Sequence, residues 1–144
     1  MTKSKKDVGW FLAFWKPRSS ANSPVAKEYE KLVAGNKRSE QEFYKLVSAV
    51  EKIGPTLALP HNKYVGGGVF ELRDRTHGKR YYYAETDLVI EDQSSASKVI
   101  LLLGAAGDKG SQQRDIERAR KRLSENGEEN VLNKDGRKIL EKEK

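Results

Sequence analysis

The stretch Leu57 to Thr86, LALPHNKYVGGGVFELRDRTHGKRYYYAET, constrains this chain most, because it packs two segments of strand character and most of the reactive side chains together. Val69 to Asp74 alternates apolar and charged residues, with Phe70 and Leu72 on one face and Glu71 and Arg73 on the other, which is the period of a half-buried strand. Arg75, Thr76, His77 and Gly78 form a short polar connection. Lys79 to Ala84 then resumes with the run Tyr81 to Tyr83, a residue type favoured on pleated surfaces. The pattern predicts a β-hairpin in which Arg73 and Arg80 flank the turn and share one sheet face.

The flanking segments supply the layers around that hairpin. VGWFLAFW near the start reads as a first buried strand, and a turn-rich link leads from it to Ser23-Pro24, an N-cap followed by proline at the first helical position. Val25, Tyr29, Leu32 and Val33 give that helix one apolar face, and Gly35 can close it. A second helix is expected from Ser39, with Glu42 in capping-box spacing and Phe43, Leu46, Val47, Val50 and Ile53 as its buried stripe, ending at Gly54-Pro55. The Gly66 to Gly68 run reads as a flexible or tight lead into the hairpin, since no P-loop lysine follows it. Asp87 to Ser97 is expected to be a loop extension with at most a marginal strand around Leu88-Val89-Ile90.

Lys98 to Leu103, KVILLL, is a continuous apolar run that belongs at the centre of a sheet. After the loop GAAGDKG, a helix is expected from about Ser111 to Ser124, with Ile116, Ala119 and Leu123 inward and Arg114, Arg118, Lys121 and Arg122 largely outward. The order β, α, α, β, β, β, α predicts an α+β domain over residues 8–125: a small, mostly antiparallel sheet with an N-terminal helical pair on one face and a C-terminal helix. Residues 126–144 read as a charged, weakly ordered or weakly helical tail that adds little stability, since Val131, Leu132, Ile139 and Leu140 are its only anchors.

Charge and the absence of cysteine narrow the function. Twenty-eight Lys and Arg against 21 Asp and Glu give a net charge of +7, which on charge alone fits a polyanionic partner and a well-solubilised basic domain equally. Without cysteine there are no disulfides, no thiolate catalysis and no Cys-ligated zinc, and two histidines cannot build a His-rich metal site; no cofactor is expected. The opening MTKSKKD followed by VGWFLAFW has the basic-then-apolar order of a signal peptide, but the apolar run is short and ends in Lys-Pro-Arg. A cytoplasmic protein without a membrane span is expected.

Several segments, in order, resemble the RelE/HigB-type toxins of bacterial toxin–antitoxin modules, in particular the phage-derived HigB-like branch. The carriers are Ser23-Pro24-Val25, Ile53-Gly54-Pro55, Leu59-Pro60-His61-Asn62-Lys63, Gly68-Val69-Phe70-Glu71-Leu72-Arg73, Gly78-Lys79-Arg80-Tyr81-Tyr82-Tyr83 and Asp115-Ile116-Glu117-Arg118-Ala119. One departure is the loop after the last strand: the HigB-like branch has a lysine-rich stretch with an aromatic and a proline there, whereas this chain has GAAGDKGSQQ and retains only Lys109. The resemblance implies a RelE-like fold and a toxin that cuts messenger RNA on the translating ribosome without metal. Its implied partners are the ribosome, the message and a cognate antitoxin of helix-turn-helix type. The related ParE-type toxins act on DNA gyrase instead, so a gyrase inhibitor is one alternative, and a catalytically silent nucleic-acid or antitoxin-binding module is another.

Metal-free RNA cleavage needs a base for the ribose 2′-hydroxyl, cations for the phosphorane and an acid for the leaving 5′-oxygen. Arg73 and Arg80 match the family's strand arginines, and a planar guanidinium suits phosphate oxygens; the alternative for each, the less favoured, is a surface salt bridge with Glu71 or Asp74. Arg80 is expected on an open sheet face, where its loss would not disturb folding. The acid and base stay open among Glu71, His61 and Tyr82, with His77 reading as a solvated turn residue. Tyr81 and Tyr83, facing opposite to Tyr82, read as core. Lys63, Lys79, Lys109, Arg114 and Arg118 are the cations expected to bind RNA.

Overall fold

The computed structural model describes residues 10–17, 22–33, 36–53, 61–90, 96–107, 112–125, 131–133 and 138–141. They form a small α+β domain with a mixed sheet and flanking helices. In chain order the elements are β1 (Trp10–Phe14), α1 (Pro24–Val33), α2 (Lys37–Ile53), β2 (Asn62–Gly66), β3 (Val69–Asp74), β4 (Lys79–Ile90), β5 (Ala96–Gly107), α3 (Gln112–Ser124), β6 (Val131–Asn133) and β7 (Lys138–Glu141).

Both N-terminal helices start at side-chain caps. Ser23 Oγ accepts the Ala26 N–H at 3.0 Å and donates to the Trp15 carbonyl at 2.6 Å, so the same hydroxyl caps α1 and ties it to the end of β1. α2 begins earlier than its Ser39 signal predicts. Asn36 is the cap, its Oδ1 accepting the Ser39 N–H at 3.0 Å, and Ser39 is buried in the first turn. Downstream the expected stripe holds, with Phe43, Leu46, Val47 and Val50 all buried. Gly35, Gly54 and Pro55 lie outside the described residues.

The sheet runs β2-β3-β4-β5-β1-β6-β7. Only β1 and β5 pair in parallel, with Phe14 opposite Leu102, and the remaining ladders are antiparallel. β5 is the middle strand, and Ile100 to Leu103 are all buried, as a strand covered on both faces must be. A register shift after Tyr82 moves the partner from Gly104 to Leu102, leaving Leu103 as the extra residue of a bulge.

Several segments are more regular than the sequence predicts. Asn62–Gly66 is a strand, and Gly66 to Gly68 form its tight turn into β3, with φ of 92°, 65° and 84°. A Cβ on Gly66 would also come within 2.8 Å of Arg120 Nη2, so a side chain there would have to displace the guanidinium that donates to the carbonyls of Val65 and Gly66. β4 continues through Leu88-Val89-Ile90, and Gly104 to Gly107 extend β5 instead of forming a loop. The tail is not helical in its described part: β6 pairs with β1, and β7 pairs with both β6 and the far end of β4, so β4, β5, β1, β6 and β7 close into a ring.

The helices cover opposite faces. Tyr81 of β4 meets Phe43 of α2 at 4.5 Å, and Phe43 in turn meets Tyr29 of α1 at 4.9 Å. Neighbouring strand residues point to opposite faces, and Tyr82 accordingly lies on the α3 side. Arg122 of α3, expected outward, turns inward instead: it forms a bidentate pair with Glu28 of α1 at 3.2 and 2.9 Å and donates to the Leu103 carbonyl at the bulge. Glu28 also accepts the Ala105 N–H, so an ion pair satisfies backbone groups where β1 has ended. No helix among the described residues is long and apolar enough to cross a membrane.

Candidate active site

The β3–β4 ladder sets Arg73 directly opposite Arg80 and Glu71 opposite Tyr82, four residues on one face. They converge on a single atom. Glu71 Oε2 lies 3.4 Å from Arg80 Nε and 3.9 Å from Arg73 Nη2, and accepts hydrogen bonds from the Tyr82 hydroxyl at 3.4 Å and from Gln112 Nε2 of α3 at 2.8 Å. Burial of a lone carboxylate would be costly; two guanidinium groups and two neutral donors make it tolerable.

Above this cluster opens a cleft of about 160 Å³ lined by His61, Asn62, Lys63, Glu71, Arg73 and Arg75. Its shape follows from β2. Lys63 pairs with Glu71 across the β2–β3 ladder, and the Arg73 N–H donates to the His61 carbonyl at 2.8 Å, which holds His61 at the mouth of the strand. His61 Nδ1 is buried and has no hydrogen-bond partner among the described residues. The lining sets three cations against one carboxylate that is already paired beneath the floor, so the opening favours an anion.

The expected site residues separate into three groups. His61, Lys63, Glu71 and Arg73 share the cleft. Arg80 and Tyr82 do not line it: Arg80 is buried rather than on an open face, because α3 reaches over this side of the sheet and Glu71 holds its guanidinium. The Tyr82 hydroxyl is pushed well above its ordinary range, first by burial and then by the charges of Glu71 and Asp115, so it stays protonated as a donor to Glu71 and is ill suited to supplying a proton. Lys79 sits at the start of β4 opposite Asp74, outside the cleft, and Arg114 and Arg118 are exposed on α3, Arg118 pairing with Asp115 at 3.6 Å. Lys109 lies outside the described residues. His77 is a turn residue, its Nδ1 2.8 Å from Asp74 Oδ2 and its N–H donating to Asp74 Oδ1 at 3.0 Å.

Two members of the site carry no sequence signal of their own. Arg75 lies in the hairpin connection and Gln112 at the start of α3, and only the fold brings either to Glu71 or to the cleft. Among the described residues there is no group of three or more His, Asp or Glu side chains arranged to hold a metal ion. In comparison with known proteins, the chain matches no family model and no curated protein.

Proposed function

We propose that this chain is a toxin of the RelE/HigB type that cleaves messenger RNA on the ribosome and is restrained by a cognate antitoxin. The observation that carries the reading is the convergence of His61, Lys63, Glu71 and Arg73 on one cleft, since they belong to the segments through which the sequence resembles that family; Arg75, outside those segments, adds a third cation. A mixed sheet between helices, with the hairpin arginines in direct register, is consistent with a RelE-like fold.

In this reading Arg73, Lys63 and Arg75 hold the scissile phosphate and oppose the charge that builds on its oxygens. Glu71 takes the proton of the ribose 2′-hydroxyl, whose oxygen attacks phosphorus. The bond from phosphorus to the 5′-oxygen breaks, His61 delivers a proton to that oxygen, and the upstream fragment ends in a 2′,3′-cyclic phosphate. Arg80, Tyr82 and Gln112 act as positioning residues that fix the Glu71 carboxylate from behind.

The test is induction of the wild type and of Arg73→Ala in growing cells, followed by mapping of message ends and of DNA breaks. Growth arrest with cut messages, lost in Arg73→Ala, is the expected result. Intact messages with accumulated DNA breaks would instead mark a gyrase inhibitor, and a wild type without toxicity would mark a silent binding module.

A further inference from the structure

The far side of β2 carries a feature that the cleft does not use. Tyr64 is a large aromatic side chain left 57% exposed. Its ring is nevertheless held in place. The hydroxyl accepts the Gly68 N–H at 3.0 Å, the ring packs on Phe70 with centroids 5.0 Å apart, and Phe70 stacks on Tyr83 at 5.4 Å with 20° between planes. Tyr83 donates to Asn62 Oδ1 at 2.7 Å, so this aromatic ladder is anchored to a residue that also lines the cleft.

β2 is the outer strand, paired with β3 alone. Side chains alternate along it, so Lys63 points to the cleft and Tyr64, one residue on and about 3.4 Å further, to the opposite face. A strand edge with cations on one side and a fixed aromatic ring on the other matches a polymer whose repeating unit carries an anion and a planar ring on opposite sides of a sugar. We propose that Tyr64 is a stacking platform for an unpaired nucleobase of a single-stranded polynucleotide that drapes over the β2 edge with a phosphate in the Lys63–Arg73–Arg75 cleft. This rests on the reading of that cleft as a phosphate site. A duplex keeps its bases stacked on one another and cannot use the platform, so the site selects single strands.

The test is fluorescence anisotropy with a 2′-O-methyl RNA oligonucleotide that cannot be cleaved, the same backbone carrying abasic residues throughout, and a matched duplex. The wild type is expected to bind the single strand more tightly than either control. Tyr64→Ala should weaken single-strand binding by roughly 5- to 150-fold with little change in salt dependence, Tyr64→Trp should restore it, and both variants should bind the abasic strand as the wild type does. Equal binding of the base-bearing and abasic strands by the wild type would overturn the proposal, as would a Tyr64→Ala variant that binds like the wild type. A wild type that binds no oligonucleotide would overturn both the platform and the phosphate cleft. Tyr64-dependent binding without message cleavage would remove the nuclease reading and leave the platform standing.

Discussion

Arg80 Nε lies 3.4 Å from Glu71 Oε2 across the β3–β4 ladder, with side chains only 10% and 3% exposed. Arg73, its cross-strand neighbour, reaches the same oxygen only at 3.9 Å and is 31% exposed. Two arginines that look equivalent in sequence therefore have different duties. Arg80→Ala removes the nearest cation from a buried carboxylate and should cost at least about 2 kcal/mol in denaturant unfolding. Arg73→Ala loses a partly solvated pair and should cost under about 1 kcal/mol. Equal losses from the two substitutions would contradict this division.

Alkaline pH should expose the tyrosine core. Burial raises the hydroxyls of Tyr29, Tyr81, Tyr82 and Tyr83 above their ordinary value, so the folded chain keeps protons that the unfolded chain releases above about pH 10. Their contribution is complete below that pH and is lost as the pH climbs through the folded values, at up to about 1.4 kcal/mol per pH unit for each group. The Tyr81 hydroxyl is buried without a partner among the described residues and lies near the charge of Asp74. Tyr81→Phe is thus expected to leave stability at pH 7 unchanged or higher and to reduce the alkaline slope by about one proton. Unfolding curves from pH 7 to 11 check this, and identical slopes for the two proteins would count against it.

Closure of the sheet by β6 and β7 changes the expectation for the tail. Leu88, Val89 and Ile90 pair with Glu141, Leu140 and Ile139, and Ala13 and Phe14 pair with Asn133 and Leu132. Deleting 127–144 opens both edges and should cost about 2 kcal/mol, or roughly 4–8 °C in Tm. Hydrogen exchange should also speed up at the unpaired amides of β1 and of residues 88–90. A truncated chain with unchanged Tm and protection would show that the ring contributes nothing to stability.

What the sequence reveals follows the range of the interactions. The cap at Ser23, the stripe of α2 and the alternation of β3 are local, and each is present in the structure. At the start of α2 the Ser39 signal is displaced, because the Asn36 side chain accepts the Ser39 N–H and starts the helix earlier. β2 escapes a pattern reading because its exposure does not alternate cleanly: Lys63 and Tyr64 are both exposed, and it pairs on only one side. Besides pairing with each other, the strands of the tail dock on partners more than forty residues away in the chain, a relation that periodicity cannot show. Likewise His61, Lys63, Glu71 and Arg73 are identifiable one by one, but the burial of Arg80 depends on α3, and nothing local to the hairpin announces it.

Purified components decide whether the cleft formed by His61, Lys63 and Arg73 cuts RNA. Translating ribosomes loaded with one defined message are incubated with the wild type, with Arg73→Ala and with His61→Ala, and the 5′ and 3′ ends of the RNA are mapped. The wild type is expected to make discrete cuts with 2′,3′-cyclic phosphate ends, and Arg73→Ala, a variant that stays folded, to lose at least about a hundredfold in rate. An intact message with the wild type, or cutting by Arg73→Ala at the wild-type rate, would contradict it.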